Sequence, residues 1–157
     1  MSSKKKHFTA SALIIDNNKV LLVYHNKLDV WLYPGGHVED DEHPDETLFR
    51  EVKEETGLEI EVISNRDRAL SDKKNNVNSL HLPYAVLCEL VGDHYHNDLI
   101  YKCKIKKGRK LKFNPKESSD IGFFGYEEIQ KLKLFDNFRV LLEKVLKEEE
   151  NRRETIV

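Results

Sequence analysis

Three glutamates, Glu51, Glu54 and Glu55, stand at positions i, i+3 and i+4 of one short segment. At 3.6 residues per helical turn, that spacing sends three carboxylates out from one side within a single turn. Like charges so placed repel by roughly a few tenths of a kcal/mol per pair on an exposed helix, and by more when partly buried, so cations are the natural compensation. Oxygen donors with no histidine or cysteine cluster among them suit a hard ion, Mg²⁺ or Mn²⁺, better than zinc. Arg50 lies one residue ahead of the group and four before Glu54, where its permanent charge pairs with a carboxylate and fixes its rotamer. Just upstream, Gly35 and Gly36 carry no side chain to keep a backbone carbonyl away from an ion. The competing reading is a solvated acidic helix face, because glutamate is a good helix former.

The fixed spacing around these residues weighs against that plain reading. Gly36, five residues, Glu42, seven residues, then Arg50-Glu51-Val52-Lys53-Glu54-Glu55-Thr56-Gly57-Leu58 resembles the Nudix box at every defined position, and Trp31-Leu32-Tyr33-Pro34-Gly35-Gly36 resembles the family's lead-in. The resemblance implies an α/β (α+β) fold, a Nudix-type α/β/α sandwich with a mixed β-sheet. It implies Glu51, Glu54, Glu55 and the Gly35 carbonyl as metal ligands, with Glu42 as an outer ligand or brace. It further implies hydrolysis of a nucleoside diphosphate linked to some group X, giving a nucleotide and phosphorylated X. A carboxylate must accept the attacking water's proton. Glu51 and Glu54 are the candidates within the box, and Glu117, Asp120 and Glu127 are the candidates outside it. Many members of the family are dimers, so a homodimer is a further expectation.

Two other functions fit the same resemblance. A catalytically inactive nucleotide-sensing or RNA-binding module would keep the fold but usually lose the carboxylates, which are intact here. An isopentenyl-diphosphate isomerase would need a reactive cysteine, whereas Cys88 and Cys103 read as core thiols inside apolar strands.

Substrate choice must come from outside the box. His81, Tyr84, His94, Tyr95, His96 and Asp98 gather imidazoles, phenols and an acid around two neighbouring strands, where they offer contacts to phosphate, ribose or base. The bland alternative is that His94 to Asn97 is a polar strand connection, and histidines without helical or zinc-like spacing do not read as a metal site. Trp31 and Phe123 offer stacking surfaces, although a lone tryptophan entering a glycine loop suits core packing better. His37 and His43 flank the box, within reach of phosphate or simply in solvent.

The elements that must hold these groups are readable in outline. Phe8–Ile15 and Lys19–Tyr24, separated by Asp16-Asn17-Asn18, predict a β-hairpin. Pro44 at a first helical position, Leu48, Phe49 and Val52 at helical spacing, and Gly57 as a stop predict a helix over Pro44–Thr56. Strands are predicted at 58–64, 80–91, 98–105 and 121–126, with a polar surface loop at 65–79. Closing helices are predicted at 126–134 and 136–149. The run Lys102 to Lys110 reads as an exposed edge strand whose lysines discourage aggregation.

A chain of 157 residues suits one domain over 1–157, with 1–7 and 148–157 as flexible ends. The composition is 39% hydrophobic and 34% charged, with a mean hydropathy of -0.63. That describes a soluble cytoplasmic protein without a membrane span or export signal. A net charge of -2, from 26 basic and 28 acidic residues, speaks against bulk electrostatic binding of nucleic acid. The expected partner is a small nucleoside diphosphate derivative.

Overall fold

The computed structural model describes residues 4–107, 110–112, 115–116 and 118–156. Eight strands form one mixed sheet network: β1 (Lys6–Asp16), β2 (Lys19–His25), β3 (Val30–Leu32), β4 (Gly35–His37), β5 (Glu59–Val62), β6 (Ala85–Val91), β7 (His94–Lys107) and β8 (Ser118–Phe124). Their path runs β3-β2-β1-β7-β5, with β4 added to β1, β6 to β7 and β8 to β2. The long strands β1 and β7 pair in parallel, His7 opposite His96 and Thr9 opposite Asp98. The other pairings are antiparallel.

Helix α1 (Pro44–Thr56) covers one face of the sheet. Its first turn is capped by the His43 ring, which accepts from the Glu46 amide at 3.3 Å, and Pro44 supplies a preset φ. It ends at Gly57, whose φ of 77° is left-handed and whose amide donates to the Lys53 carbonyl at 2.9 Å. Leu48 and Val52 pack on Ala10, Ala12, Ile14, Leu21, Tyr101 and Cys103. Phe49, counted from sequence as part of the apolar face, lies on the outer side and is 39% exposed.

On the other face, α3 (Asp136–Ile156) sets Phe138, Leu142, Val145 and Leu146 against Leu13, Ile15, Val20, Leu22 and Ile100. Each fully buried leucine contributes on the order of 1.5–3 kcal/mol. The even residues of β1 therefore face α1 and its odd residues face α3, as the strand period requires. α2 (Tyr126–Ile129) is a single turn, much shorter than the segment read as helix.

Several expectations change. α3 continues past Glu149 to Ile156, and Glu149, 5% exposed, is held by Lys102 and Arg152. A charged tail becomes helix where a buried ion pair anchors it. At the other end, β1 already begins at Lys6. The lysine-rich run is an edge only in part: Lys102 and Cys103 lie between β1 and β5, whereas Lys104–Lys107 pair with β5 alone, because the β1 ladder ends at Cys103. Gly108 and Arg109 of that run lie outside the described residues. Cys103 is buried as read, whereas Cys88 is exposed on the outer face of β6. Among the described residues, no helix is long and apolar enough to cross a membrane.

Candidate functional site

Arg50 is the hub of the acidic face. Its Nε and Nη2 donate to the two oxygens of Glu42 at 2.7 and 2.8 Å, a forked pairing that only a guanidinium makes. Its Nη1 donates to Glu51 at 2.8 Å and reaches Glu54 at 3.4 Å. Glu42 also accepts from the Thr47 hydroxyl at 3.1 Å and the Glu39 amide at 3.4 Å. The Arg50 hydrogen bonds hold the Glu42 carboxyl down at about 2, and Glu42 in turn raises the guanidinium above its ordinary value. The residue eight positions upstream of Arg50 thus braces the side chain from which the box carboxylates hang.

The glycines set the depth of the site. β4 pairs with β1, Gly35 opposite Ser11 and Gly36 opposite Ala10, so the glycine loop read from the sequence is a short strand. A Cβ on Gly36 would stand 2.4 Å from the Glu51 carboxyl, and one on Gly35 would stand 2.5 Å from the Ala10 carbonyl oxygen. The missing side chains let β4 lie against both β1 and the helix. The Gly35 amide donates to Glu55 at 3.3 Å, tying strand to helix. Burial raises the Glu51 carboxyl above its ordinary value, against the opposing pull of Arg50. Glu54 is 59% exposed on its side chain. The donor set here is carboxylate oxygen, with neither imidazole nor thiol hydrogen-bonded to Glu51 or Glu54 among the described residues, and a desolvated carboxylate beside a second one gains from a cation. Both features fit a hard divalent ion.

One strand away lies a second polar group, on the α3 side of the sheet. Asp98, 3% exposed, accepts from Thr9 at 2.9 Å, from Ser11 at 2.8 Å and from the Tyr33 hydroxyl. Burial and the neighbouring Asp98 charge push the Glu89 carboxyl up to about 8, and burial with the same charge raises Tyr33. Asp98 was singled out from sequence, but Thr9, Ser11, Tyr33 and Glu89 were not. The polar alternation His7-x-Thr9-x-Ser11 was the available signal, cut short where Leu13 and Ile15 take over the same face.

Histidines surround the far end of this group. His37 follows Gly36 and, by strand alternation, projects to the opposite face. Its ring lies 4.9 Å from that of His96 and 5.9 Å from that of His94. His94 and His96 belong to β7 itself, not to a connection. Burial, then the neighbouring imidazoles, lowers both His37 and His96. A cleft of about 840 Å³ opens beside them, lined by His7, His37, Glu39, Asp40 and Leu99 among others.

The remaining candidates separate from the site. His81 turns inward, its amide and Nδ1 on the buried Asp45 carboxylate at 3.1 and 2.7 Å, so it pins the 63–84 segment to the start of α1. Trp31 packs edge-on against Tyr24 and Phe124 in the α3-side core. Phe123 packs with the α1-side core. Both rings are half-buried in these packings. Asp120 alternates with Ile121 and Phe123 to the opposite face of β8 from α1, is exposed, and accepts from the Ile121 amide at 2.8 Å. Glu117 lies outside the described residues. His43 is engaged as the α1 cap.

Comparison with known proteins agrees with this architecture. The NUDIX domain family matches residues 5–145. The fold superposes on a hydrolase of the NUDIX family from Clostridium perfringens with a TM-score of 0.79, at 28% identity over 90% of this chain and 96% of the other. An 8-oxo-dGTP diphosphatase from Proteus vulgaris is 34% identical over 65 residues, 38% of this chain and 58% of that protein. A probable DHNTP pyrophosphohydrolase from Lactococcus lactis subsp. cremoris is 32% identical over 88 residues, 52% of this chain and 53% of its own length. The chain thus spans little more than half the length of these curated relatives. A mixed sheet between helices, glycines pressed on a carboxylate helix, and a family match across most of the sequence lead to one assignment: the chain belongs to the NUDIX domain family.

Proposed function

We propose that this protein hydrolyses the diphosphate linkage of a small nucleoside diphosphate derivative, releasing a nucleotide and a phosphorylated second product. The observation that carries the reading is Arg50, which gathers Glu42, Glu51 and Glu54 into one array against the Gly35-Gly36 strand. Glu51, Glu54, Glu55 and the Gly35 carbonyl are the groups that would hold Mg²⁺, or Mn²⁺ in its place, and the ion would neutralise diphosphate oxygens and acidify a water.

The chain's own residues do the rest. Arg50, locked by its fork to Glu42, keeps Glu51 from relaxing away, so little reorganisation remains when the reaction begins. Glu55 is steadied by the Gly35 amide. Glu54, exposed and only loosely held at 3.4 Å, is the carboxylate with oxygen lone pairs free to take the proton from an attacking water. Glu89, half-buried beside the internally bonded Thr9, Ser11, Tyr33 and Asp98 group and holding its proton, can donate to a polar nucleoside.

The relatives are named as an 8-oxo-dGTP diphosphatase, an RNA pyrophosphohydrolase and a probable DHNTP pyrophosphohydrolase, which supports a substrate with a pyrophosphate bond. The test is a panel of ADP-ribose, dinucleoside polyphosphates, nucleotide sugars, CDP-alcohols, NADH, oxidised and normal nucleoside triphosphates and 5′-triphosphorylated RNA, assayed for product release. Cleavage of at least one compound, abolished by EDTA and restored by Mg²⁺ or Mn²⁺, is expected. Turnover that persists after exhaustive chelation removes the metal reading, and tight binding of a compound without cleavage replaces the enzyme with a sensing module.

A further inference from the structure

We propose that His7, His37 and His94, with His96 beside them, form a second metal site that takes a borderline transition-metal ion such as Zn²⁺, Ni²⁺ or Cu²⁺, distinct in place and chemistry from the carboxylates of α1. Three strands bring the imidazoles together. His7 stands opposite His96 in the parallel β1–β7 register, and His37 of β4 stands opposite Thr9, two residues along β1. His94 and His96 share a face of β7 because they are two residues apart. One ring nitrogen each from His7, His37 and His94 lie within 4.8 Å of one another. The ring centroids are 4.9 Å apart for His7 and His94 and 5.4 Å apart for His7 and His37.

The fine geometry is suited to an ion as well as to ring packing. His94 Nδ1 lies 2.9 Å from the Asp93 carboxylate, so Nδ1 carries the proton and donates it, leaving Nε2 as a lone pair. A carboxylate on the outer nitrogen of an imidazole is the arrangement that orients metal-binding histidines. The Nε2 of His94 faces the Nε2 of His96 at 3.0 Å. Two imidazole nitrogens bound to one ion at ~2.0–2.1 Å stand about 2.9–3.4 Å apart, so a pair that shares an N–H···N hydrogen bond at 3.0 Å without an ion can take one up with little movement. An all-imidazole donor set discriminates against Mg²⁺, which prefers oxygen, and towards zinc, nickel and copper. The site borders the cleft lined by Glu39 and Asp40, which leaves an ion there open to solvent or to an anionic ligand.

The site is tested with the metal alone on the full chain, stripped with chelator and then titrated calorimetrically with Zn²⁺ in millimolar Mg²⁺. One equivalent should bind, and the His94→Ala and His7→Ala variants should lose at least tenfold in affinity. Asp93→Asn, on an exposed turn where folding is not at stake, should weaken binding roughly tenfold or more by releasing the His94 tautomer. Glu51→Gln with Glu54→Gln should leave Zn²⁺ binding unchanged. Co²⁺ loaded into the unaltered protein should give the visible absorption of nitrogen ligation. Absence of competitive Zn²⁺ binding in Mg²⁺, equal affinity in the histidine variants, or loss of Zn²⁺ binding in the glutamine variant would each overturn the proposal.

Discussion

Replacing Gly36 with alanine separates the carboxylate face from the fold that carries it. The new Cβ would sit 2.4 Å from the Glu51 carboxyl and 2.9 Å from its Cγ, atoms of a flexible side chain. Glu51 should swing aside and surrender its 2.8 Å contact with Arg50. That partly exposed pair is worth about 1 kcal/mol at most, and alanine returns roughly 0.4–1 kcal/mol by stiffening the unfolded chain. The two nearly cancel, so the melting temperature should move by no more than about 2–4 °C. Activity should fall by roughly 10²-fold or more, the loss typical of displacing a group that works on the reacting atoms. Gly35→Ala is the contrasting variant. Its Cβ would meet the Ala10 carbonyl oxygen at 2.5 Å and the Ser11 Cα at 2.8 Å, backbone that cannot step aside. Overpacking of that kind costs about 1–3 kcal/mol. Thermal melts and kcat/KM for both variants decide the matter. Equal destabilisation of the two, or full activity in Gly36→Ala, would refute the idea that Gly36 is there to seat Glu51.

Three further outcomes follow from the charges. Glu42 is depressed to about 2 by Arg50, so its contribution to stability is present above the ordinary carboxylate value near 4.5 and fades as pH falls towards 2; Glu42→Gln should flatten the acid limb of a melting-temperature profile, and an unchanged limb would contradict the pairing. Glu89 is raised to about 8 beside Asp98, Tyr33 and His96, so the native state holds its proton and stability should decline as pH rises from about 4.5 through 8. Glu89→Gln should hold its melting temperature over that window, and a parallel fall in the variant would assign the decline elsewhere. Lys102→Ala should destabilise by up to about 3–5 kcal/mol in chemical denaturation, because it strands the buried Glu149 with only Arg152; a loss under 1 kcal/mol would mean that Glu149 is hydrated.

How much of this was legible depended on the distance along the chain over which each signal acts. The α1 bounds, its Gly57 stop and the carboxylate array are local, set within Gly36 to Leu58, and spacing carries them, whereas the cap made by His43 was read as a phosphate contact or a solvent-exposed ring. Glu42 was expected as an outer ligand or brace and Arg50 as the partner of a box carboxylate, but their fork across eight residues was not read. β4 was hidden because glycines give no alternation, and its strand character comes from Ala10 and Ser11 across the sheet. The central place of β7 up to Cys103 was hidden because it depends on parallel pairing with β1, about ninety residues earlier, and no local pattern encodes a parallel partner. The same long-range pairing sets Thr9 and Ser11 on Asp98 and His7 on His94, which is why the polar group on the α3 side and the imidazole cluster were missed. His81 and Trp31 drew notice for their chemistry, but burial on Asp45 and against Phe124 gives both structural work.

The most direct measurement is the turnover number of Glu54→Gln on the best compound from the panel, beside Glu59→Gln as a control. Glu59 is an exposed carboxylate paired with Lys53 at 3.0 Å, away from the Arg50 array. If Glu54 works on the reacting atoms, kcat falls by roughly 10²-fold or more in Glu54→Gln, with melting temperature unchanged and Glu59→Gln near wild type. Near-normal turnover in Glu54→Gln would contradict the claim that the box carboxylates carry out diphosphate hydrolysis.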